Sequence, residues 1–173
     1  MDYVDAAIDR NGELVKHNTG VYVTNIGHNP ITNMASIDHK KVEELGYIKL
    51  DLLNVHVYED VRDEAHLEAL MAKEPNWERL WTDSKFCEQV IHIGGYFKLL
   101  GEMKPDSIPR MAMFLSIIRP GKKHLQGEQW DEIAKTVWDK PDEGYYFKKS
   151  HSISYAMLVQ VHMNLLEEKL TST

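Results

Sequence analysis

The chain has one cysteine, Cys87. No internal disulfide can form, and a lone thiol fits a reducing compartment. There is no apolar run of membrane-spanning length. The first residues, Met1-Asp2-Tyr3-Val4-Asp5, are acidic, unlike a signal peptide. These absences predict a cytoplasmic protein that does not enter a membrane. Positive charge is also scarce: 20 Lys and Arg against 27 Asp and Glu leave a net charge of −7. A protein that grips nucleic acid by its backbone is normally basic, so any DNA contact here must come from a local patch or a partner chain. The nine histidines show no Cys/His or His-Glu-x-x-His spacing, which argues against a zinc site. Internal repeats and low-complexity linkers are absent as well.

What remains is ordinary globular usage, with 43% hydrophobic and 27% charged residues over 173 positions. That length suits one domain with room for a small subdomain. Val21-Tyr22-Val23-Thr24-Asn25-Ile26, rich in β-branched and aromatic residues and closed by Gly27 and Pro30, reads as a strand. Asp38 can cap a short helix to Leu45 that stops at Gly46, and Tyr47 to Leu53 reads as a second strand. A candidate helix at 59–74 precedes Pro75 and Trp77, and beyond them the pattern is helical almost throughout, with candidates at 84–93, 96–103, 107–118, 127–139 and 150–170. Gly94-Gly95, Pro105, Arg119-Pro120-Gly121 and Pro141 punctuate them. The four tryptophans lie at helical spacings suited to a core. The last candidate is apolar on nearly every side from Ile153 to Met163, so it is either deeply buried or docked on another chain. A β-containing first third followed by helices predicts an α+β fold.

Along the second strand, alternation puts Ile48, Leu50 and Leu52 on one face and Lys49 and Asp51 on the other. A carboxylate among apolar neighbours must be paired or bound to a cation. Either Lys49 is that partner, or Asp51 is an oxygen ligand for Mg²⁺, which favours one or two carboxylates plus substrate phosphates.

The second chemical cluster opens the last helix: Gly144-Tyr145-Tyr146-Phe147-Lys148-Lys149-Ser150-His151-Ser152-Ile153-Ser154-Tyr155-Ala156. Ser150 or Ser152 can cap the first-turn amides. The positive end of the helix together with Lys148, Lys149 and His151 would cradle a phosphate or triphosphate; the alternative is a capped helix with solvated lysines.

The stretch from Phe147 to Ala156 resembles the Phe-Asn-Lys-Ser-His-Ser-Ala-Ala-Tyr-Ala signature of the family C DNA polymerases, the bacterial replicative DNA polymerase III alpha subunits. Three further stretches follow that family's order. Lys16-His17-Asn18-Thr19-Gly20-Val21-Tyr22-Val23 is similar to its Lys-His-Ala-Gly-Gly-Val-Val-Ile. Val42-Glu43-Glu44-Leu45-Gly46-Tyr47-Ile48-Lys49-Leu50-Asp51-Leu52-Leu53 is similar to Val-Glu-x-x-Gly-Leu-Val-Lys-Phe-Asp-Phe-Leu. Leu115-Ser116-Ile117-Ile118-Arg119-Pro120-Gly121 resembles its Leu-Val-Ala-Leu-Phe-Arg-Pro-Gly turn. The resemblance implies the C-terminal part of a polymerase palm over residues 1–55 and a shortened, helical fingers-like domain over 56–173.

On this resemblance Asp51 falls on the third catalytic aspartate of the palm, a magnesium ligand, and Lys49 on the lysine two residues before it. Arg119, Lys148, Lys149, Ser150, His151 and Tyr155 fall in the nucleotide-binding fingers. The family's other two aspartates form an Asp-x-Asp pair, and this chain contains no Asp-x-Asp. Its Glu-Ser-Arg-Gly-Met-Lys is replaced by His92-Ile93-Gly94-Gly95-Tyr96-Phe97, with Lys98 one position later. Positive charge persists at Arg119, Lys122, Lys123, Lys148 and Lys149, although Lys122-Lys123-His124 is equally consistent with a solvated loop.

The expectation is therefore one part of a split polymerase of viral (bacteriophage) type, inactive alone. A partner polypeptide supplies the Asp-x-Asp pair, Mg²⁺ is shared with it, and primer–template DNA and deoxynucleoside triphosphates bind the complex. The other expectation is a non-catalytic derivative that binds a replication protein, nucleotide or primer–template.

Overall fold

The structure is a computed structural model that describes residues 3–52, 55–140 and 147–171. The chain divides into two compact units, Met1–His56 and Val57–Thr173; the sequence-based division falls after residue 55. Leu53 and Gly144 to Tyr146, which belong to two of the stretches above, lie outside the described residues. The fold is α+β, with a five-stranded mixed sheet and several helices.

The first unit holds that sheet, ordered β3-β4-β1-β2-β5. Strands β1 (Val4–Arg10) and β2 (Glu13–Tyr22) form an antiparallel hairpin closed at Arg10↔Glu13. Its two-residue turn, Asn11-Gly12, has φ of +59° and +88°, the left-handed pair that lets a tight turn match the strands' twist. Strand β2 ends at Tyr22, so the strand expected at 21–26 lies mostly upstream of that stretch. Strands β3 (His28–Asn29) and β4 (Met34–Asp38) follow, and β4 runs parallel to β1.

Helix α1 (His39–Glu44) begins as its sequence implies. Asp38 accepts from the Lys40 amide as N-cap and also from the Asp9 amide, at 2.8 Å. These bonds, the Asp9 amide foremost, hold its carboxyl below the ordinary range. Strand β5 is only Leu50–Asp51, at the sheet edge against β2, shorter than the expected span. The core of this unit is small: Val4, Ala6, Ala7, Tyr22, Ile26, Ala35 and Val42.

The second unit is helical. Its α-helices are α2 (Glu64–Ala72), α3 (Arg79–Thr82), α4 (Ser84–Gln89), α5 (Phe97–Met103), α6 (Ile108–Ile117), α7 (Trp130–Thr136) and α8 (Lys149–Thr171). The expected helix at 59–74 is split: a 3₁₀ segment (His56–Asp60) precedes α2, and Asp63 caps the new start by accepting from the His66 amide. Trp77 is buried in the core, and Trp81, Trp130 and Trp138 pack against it.

Helix α8, 23 residues and about 34 Å long at ~1.5 Å per residue, is the central element. It packs on both α6 and α2, which is why its apolar residues surround it rather than forming a stripe. Its buried polar side chains all face backbone groups of neighbours. Ser152 Oγ donates to the Ala112 carbonyl of α6. Gln160 Nε2 donates to the carbonyls of Met71 and Lys73, and Asn164 Nδ2 to those of Leu70 and Lys73. Together they satisfy the carbonyls that the end of α2 leaves unpaired. His162 Nδ1 accepts from the Ile91 amide at 3.0 Å.

Two predictions follow from α8. Asn164→Asp replaces two donors by a buried charge facing carbonyls, and should cost about 3 kcal/mol or more in urea unfolding. Asn164→Ala should cost only about 1–2 kcal/mol, because it also removes the partnerless Oδ1. Separately, burial, with a smaller effect of the Lys169 charge, holds His162 below its ordinary pKa of 6.5. The folded state therefore binds fewer protons than the unfolded one below that pH, and stability is lost as pH falls through the unfolded value. His162→Asn, which retains an acceptor, should flatten the fall in stability between about pH 7 and pH 5.

Candidate functional site

In the first unit the chemistry gathers where β2 meets β5. Asp51 is paired in register with Gly20, so the segment containing His17 and the segment containing Lys49 lie side by side. Asp51 Oδ1 accepts from Lys49 Nζ and, at 3.1 Å, from Thr19 Oγ1. His17 Nδ1 accepts from the amides of Gly20 (2.9 Å) and Thr19 (3.3 Å), which places its ring hydrogen on Nε2. The His17 ring meets that of His39 edge-on, with centroids 5.2 Å apart. Burial first, and the Lys49 charge next, push His17 below its ordinary pKa.

The alternation along residues 48–52 is as expected, and the structure decides which face meets solvent. Lys49 and Asp51 turn inward, their side chains 9% and 18% exposed. Ile48, Leu50 and Leu52 face out at 74%, 43% and 60%. Gly20 makes the inward turn possible: a Cβ there would stand 2.7 Å from Lys49 Cδ and 2.9 Å from Ala6 Cβ. Lys49 is thus the partner of Asp51. Among the described residues no group of three or more His, Cys, Asp or Glu is arranged to hold a metal. Asp51 supplies one carboxylate to any cation there, a share of a site rather than a whole one.

In the second unit the start of α8 sorts its residues onto two sides. At ~3.6 residues per turn, Lys149 and Ile153 lie on one side and His151 and Tyr155 about 200° away. Lys149 Nζ stands 5.8 Å from the Trp138 ring centroid, beside an apolar cavity of about 530 Å³ whose walls include Met113, Trp138 and Ile153. On the other side, Tyr155 meets the His92 ring edge-on at 4.6 Å and the Phe147 ring at 5.8 Å. The Arg119 guanidinium lies 5.0 Å over Phe147. Arg119 and Tyr155 are therefore brought together through Phe147, and Lys149 is directed elsewhere.

Lys148 and Ser150 are exposed and His151 is half-buried. Neither serine plays the expected capping role. The helix begins at Lys149, so Ser150 sits within the first turn, and Ser152 is fully buried against α6. Lys122 Nζ donates to the Thr136 carbonyl at the end of α7, which makes it a helix cap rather than part of a solvated loop.

His92 is the residue that sequence reasoning missed. Its φ is +66°, in the left-handed region that few side chains adopt, though histidine does so more readily than most. A histidine before Gly94-Gly95 reads only as turn chemistry, and its approach to Tyr155 comes from tertiary packing.

The chain matches no protein-family model, no curated protein and no solved structure. Among the described residues, no helix is long and apolar enough to cross a membrane.

Gly20→Ala tests the first site directly. The new methyl must displace Lys49 or Ala6, so the variant should lose about 1–3 kcal/mol of stability in thermal or urea unfolding. Loss of the Lys49–Asp51 contact should be visible as changed side-chain NMR chemical shifts of both residues at constant pH.

Proposed function

We propose that this chain is one part of a split family C DNA polymerase, contributing a metal-binding aspartate and the nucleotide-binding fingers to magnesium-dependent deoxynucleotidyl transfer. The observation that carries the reading is convergence. His17 to Gly20 and Lys49 to Asp51, two separate stretches of family resemblance, meet at one place, with Thr19 bonded to Asp51 across 32 residues of chain. Arg119 and the Phe147–Tyr155 stretch, two others, likewise meet in the second unit.

A polypeptide carrying an Asp-x-Asp pair would complete the metal site. Mg²⁺ held between the chains would neutralise the charge of the incoming triphosphate. In this chain Asp51 provides an oxygen ligand, Lys49 balances it, and the α8 start with Arg119 receives the nucleotide. A strand of the partner suits the edge of β5, where Ile48, Leu50 and Leu52 are exposed. A cytoplasmic location and a viral origin accord with this reading.

The second reading, a non-catalytic module that binds a replication protein, nucleotide or primer–template, is favoured by the loss of the family's Arg and Lys at the positions of Gly94 and Phe97. Primer extension by the chain reconstituted with an Asp-x-Asp polypeptide from the same source separates the two. Asp51→Asn retains an oxygen for Thr19 and removes the metal-binding charge, so it should abolish extension with only a modest drop in melting temperature. Lys49→Ala should reduce extension less. Full activity of the Asp51→Asn complex, or none in the wild-type complex, favours the non-catalytic module.

A further inference from the structure

Four planar side chains of the second unit are linked contact to contact, His92 to Tyr155, Tyr155 to Phe147 and Phe147 to Arg119, and the Arg119 charge is near enough to act on His92. The Arg119 end is electrostatically incomplete. Arg62, Arg79 and Arg110, the other arginines of this unit, each hold a carboxylate, at 3.8, 2.9 and 2.9 Å. Among the described residues Arg119 has none, and its Nε is buried without a hydrogen-bond partner. In a chain with 27 acidic and 20 basic residues, a half-buried guanidinium without an acid stands out. Desolvating an unpaired guanidinium is costly, and an anion arriving from solvent removes that cost.

The His92 end shows the complementary feature. Its left-handed backbone is the strained kind of conformation that concentrates where ligands are held. Burial lowers its pKa, and the Arg119 charge lowers it further. Among the described residues, the charged and titratable groups that face it are Arg119 and the Tyr155 ring of α8, and neither is a carboxylate. An imidazole and a guanidinium whose positive charges disfavour each other, with no carboxylate among the described residues to balance them, are arranged for an anion.

We propose that Arg119 and His92 together bind a phosphate-type anion beside the Tyr155 and Phe147 rings, with His92 taking up a proton from solvent as the anion binds. The site lies on the Tyr155 side of α8, away from Lys149, and uses a histidine at a position where the resembled family has none. It deepens the nucleotide-binding reading and rests on that reading only for what carries the phosphate. A nucleoside triphosphate and a nucleic-acid backbone present the same chemistry.

Calorimetric titration of the full chain with inorganic tripolyphosphate, at about pH 7.5 and about pH 6, tests the site. Wild-type affinity should rise with acidity more steeply than that of His92→Asn, which tolerates the left-handed backbone. The difference between the two slopes should approach ten-fold per pH unit, and the probe's own protonation cancels from it. Arg119→Met should weaken binding by about ten-fold or more, whereas Lys135→Met, which removes an exposed charge on α7, should have little effect. Melting curves show whether Arg119→Met is folded; if it is not, the His92→Asn slope decides alone.

No tripolyphosphate binding by the wild type, or equal slopes for wild type and His92→Asn, overturns the proposal. Parallel titrations with dATP and a single-stranded oligonucleotide identify the carrier as whichever binds more tightly than tripolyphosphate. Tripolyphosphate binding that persists while the reconstituted complex fails to extend a primer keeps this site and removes the polymerase reading.

Discussion

The helical unit depends on hydrogen bonds that α8 makes in its own interior. A helix buried on several sides is usually apolar throughout, yet α8 carries Ser152, Gln160 and Asn164 at nearly complete burial. Each donates to a carbonyl of a neighbouring helix or of the segment that follows it. Gln160 and Asn164 share the Lys73 carbonyl and so act as a surrogate cap for α2. The bonds add directionality to contacts that hydrophobic burial alone leaves free to slide, because a rotation of α8 would leave these amides and the α2 carbonyls unsatisfied. That fixed rotation also decides which residues at its start point toward Trp138 and which toward Arg119.

The sheet unit is built on the opposite economy. Its core contains three alanines among seven residues, and nine of the thirteen exposed large hydrophobics among the described residues lie in it, from Tyr3 to Leu52. Backbone pairing and local bonds carry much of its order: the Asn11-Gly12 turn, the Asp38 cap and the His17 bonds to two amides. Turning Lys49 and Asp51 inward and leaving Ile48, Leu50 and Leu52 in water is costly by hydrophobic burial alone. Such an arrangement is stable where the charged pair is mutually satisfied and the outward apolar residues meet another surface.

Elements whose signals are local were legible in the sequence. Asp38 and Gly46 bracket α1, Pro105 and the Arg119-Pro120-Gly121 turn bracket α6, and the unbroken apolar character of 153–163 marks a central helix. Strand β1 was not legible, because Val4-Asp5-Ala6-Ala7-Ile8 lacks clean alternation: a bulge between Asp5 and Ala7 breaks the period. The Asn11-Gly12 hairpin signal stands in the sequence, but without a recognised strand on either side it carries no weight. For the site, alternation correctly grouped Lys49 with Asp51, although it says nothing about which face meets water. Helical period alone separates Lys149 from His151 and Tyr155; the phosphate-cradle reading groups Lys149 with His151 by proximity in sequence, and Tyr155 joins them only through the family resemblance. The approach of His92 to Tyr155, and Arg119 lying over Phe147 with no carboxylate among the described residues, are products of tertiary packing with no local signature.

The pairing of Lys49 with Asp51 bears on both functional readings, and its energetics favour neither by itself. A carboxylate only 18% exposed requires a counter-charge, and in a chain without a bound cation a neighbouring ammonium is the available one. An ion pair is therefore the expected resting state of a metal ligand as much as of a structural aspartate. The two differ in what happens when further carboxylates arrive. One carboxylate sharing an oxygen with an ammonium is a poor magnesium site. Adding an Asp-x-Asp pair raises the negative charge enough to hold a divalent cation even with Lys49 nearby, and the lysine then offsets the excess. If Asp51 is structural, nothing a partner adds will loosen Lys49 from it. If it is a ligand, Lys49 should be displaced from Asp51 only in the assembled complex, and only when magnesium is present.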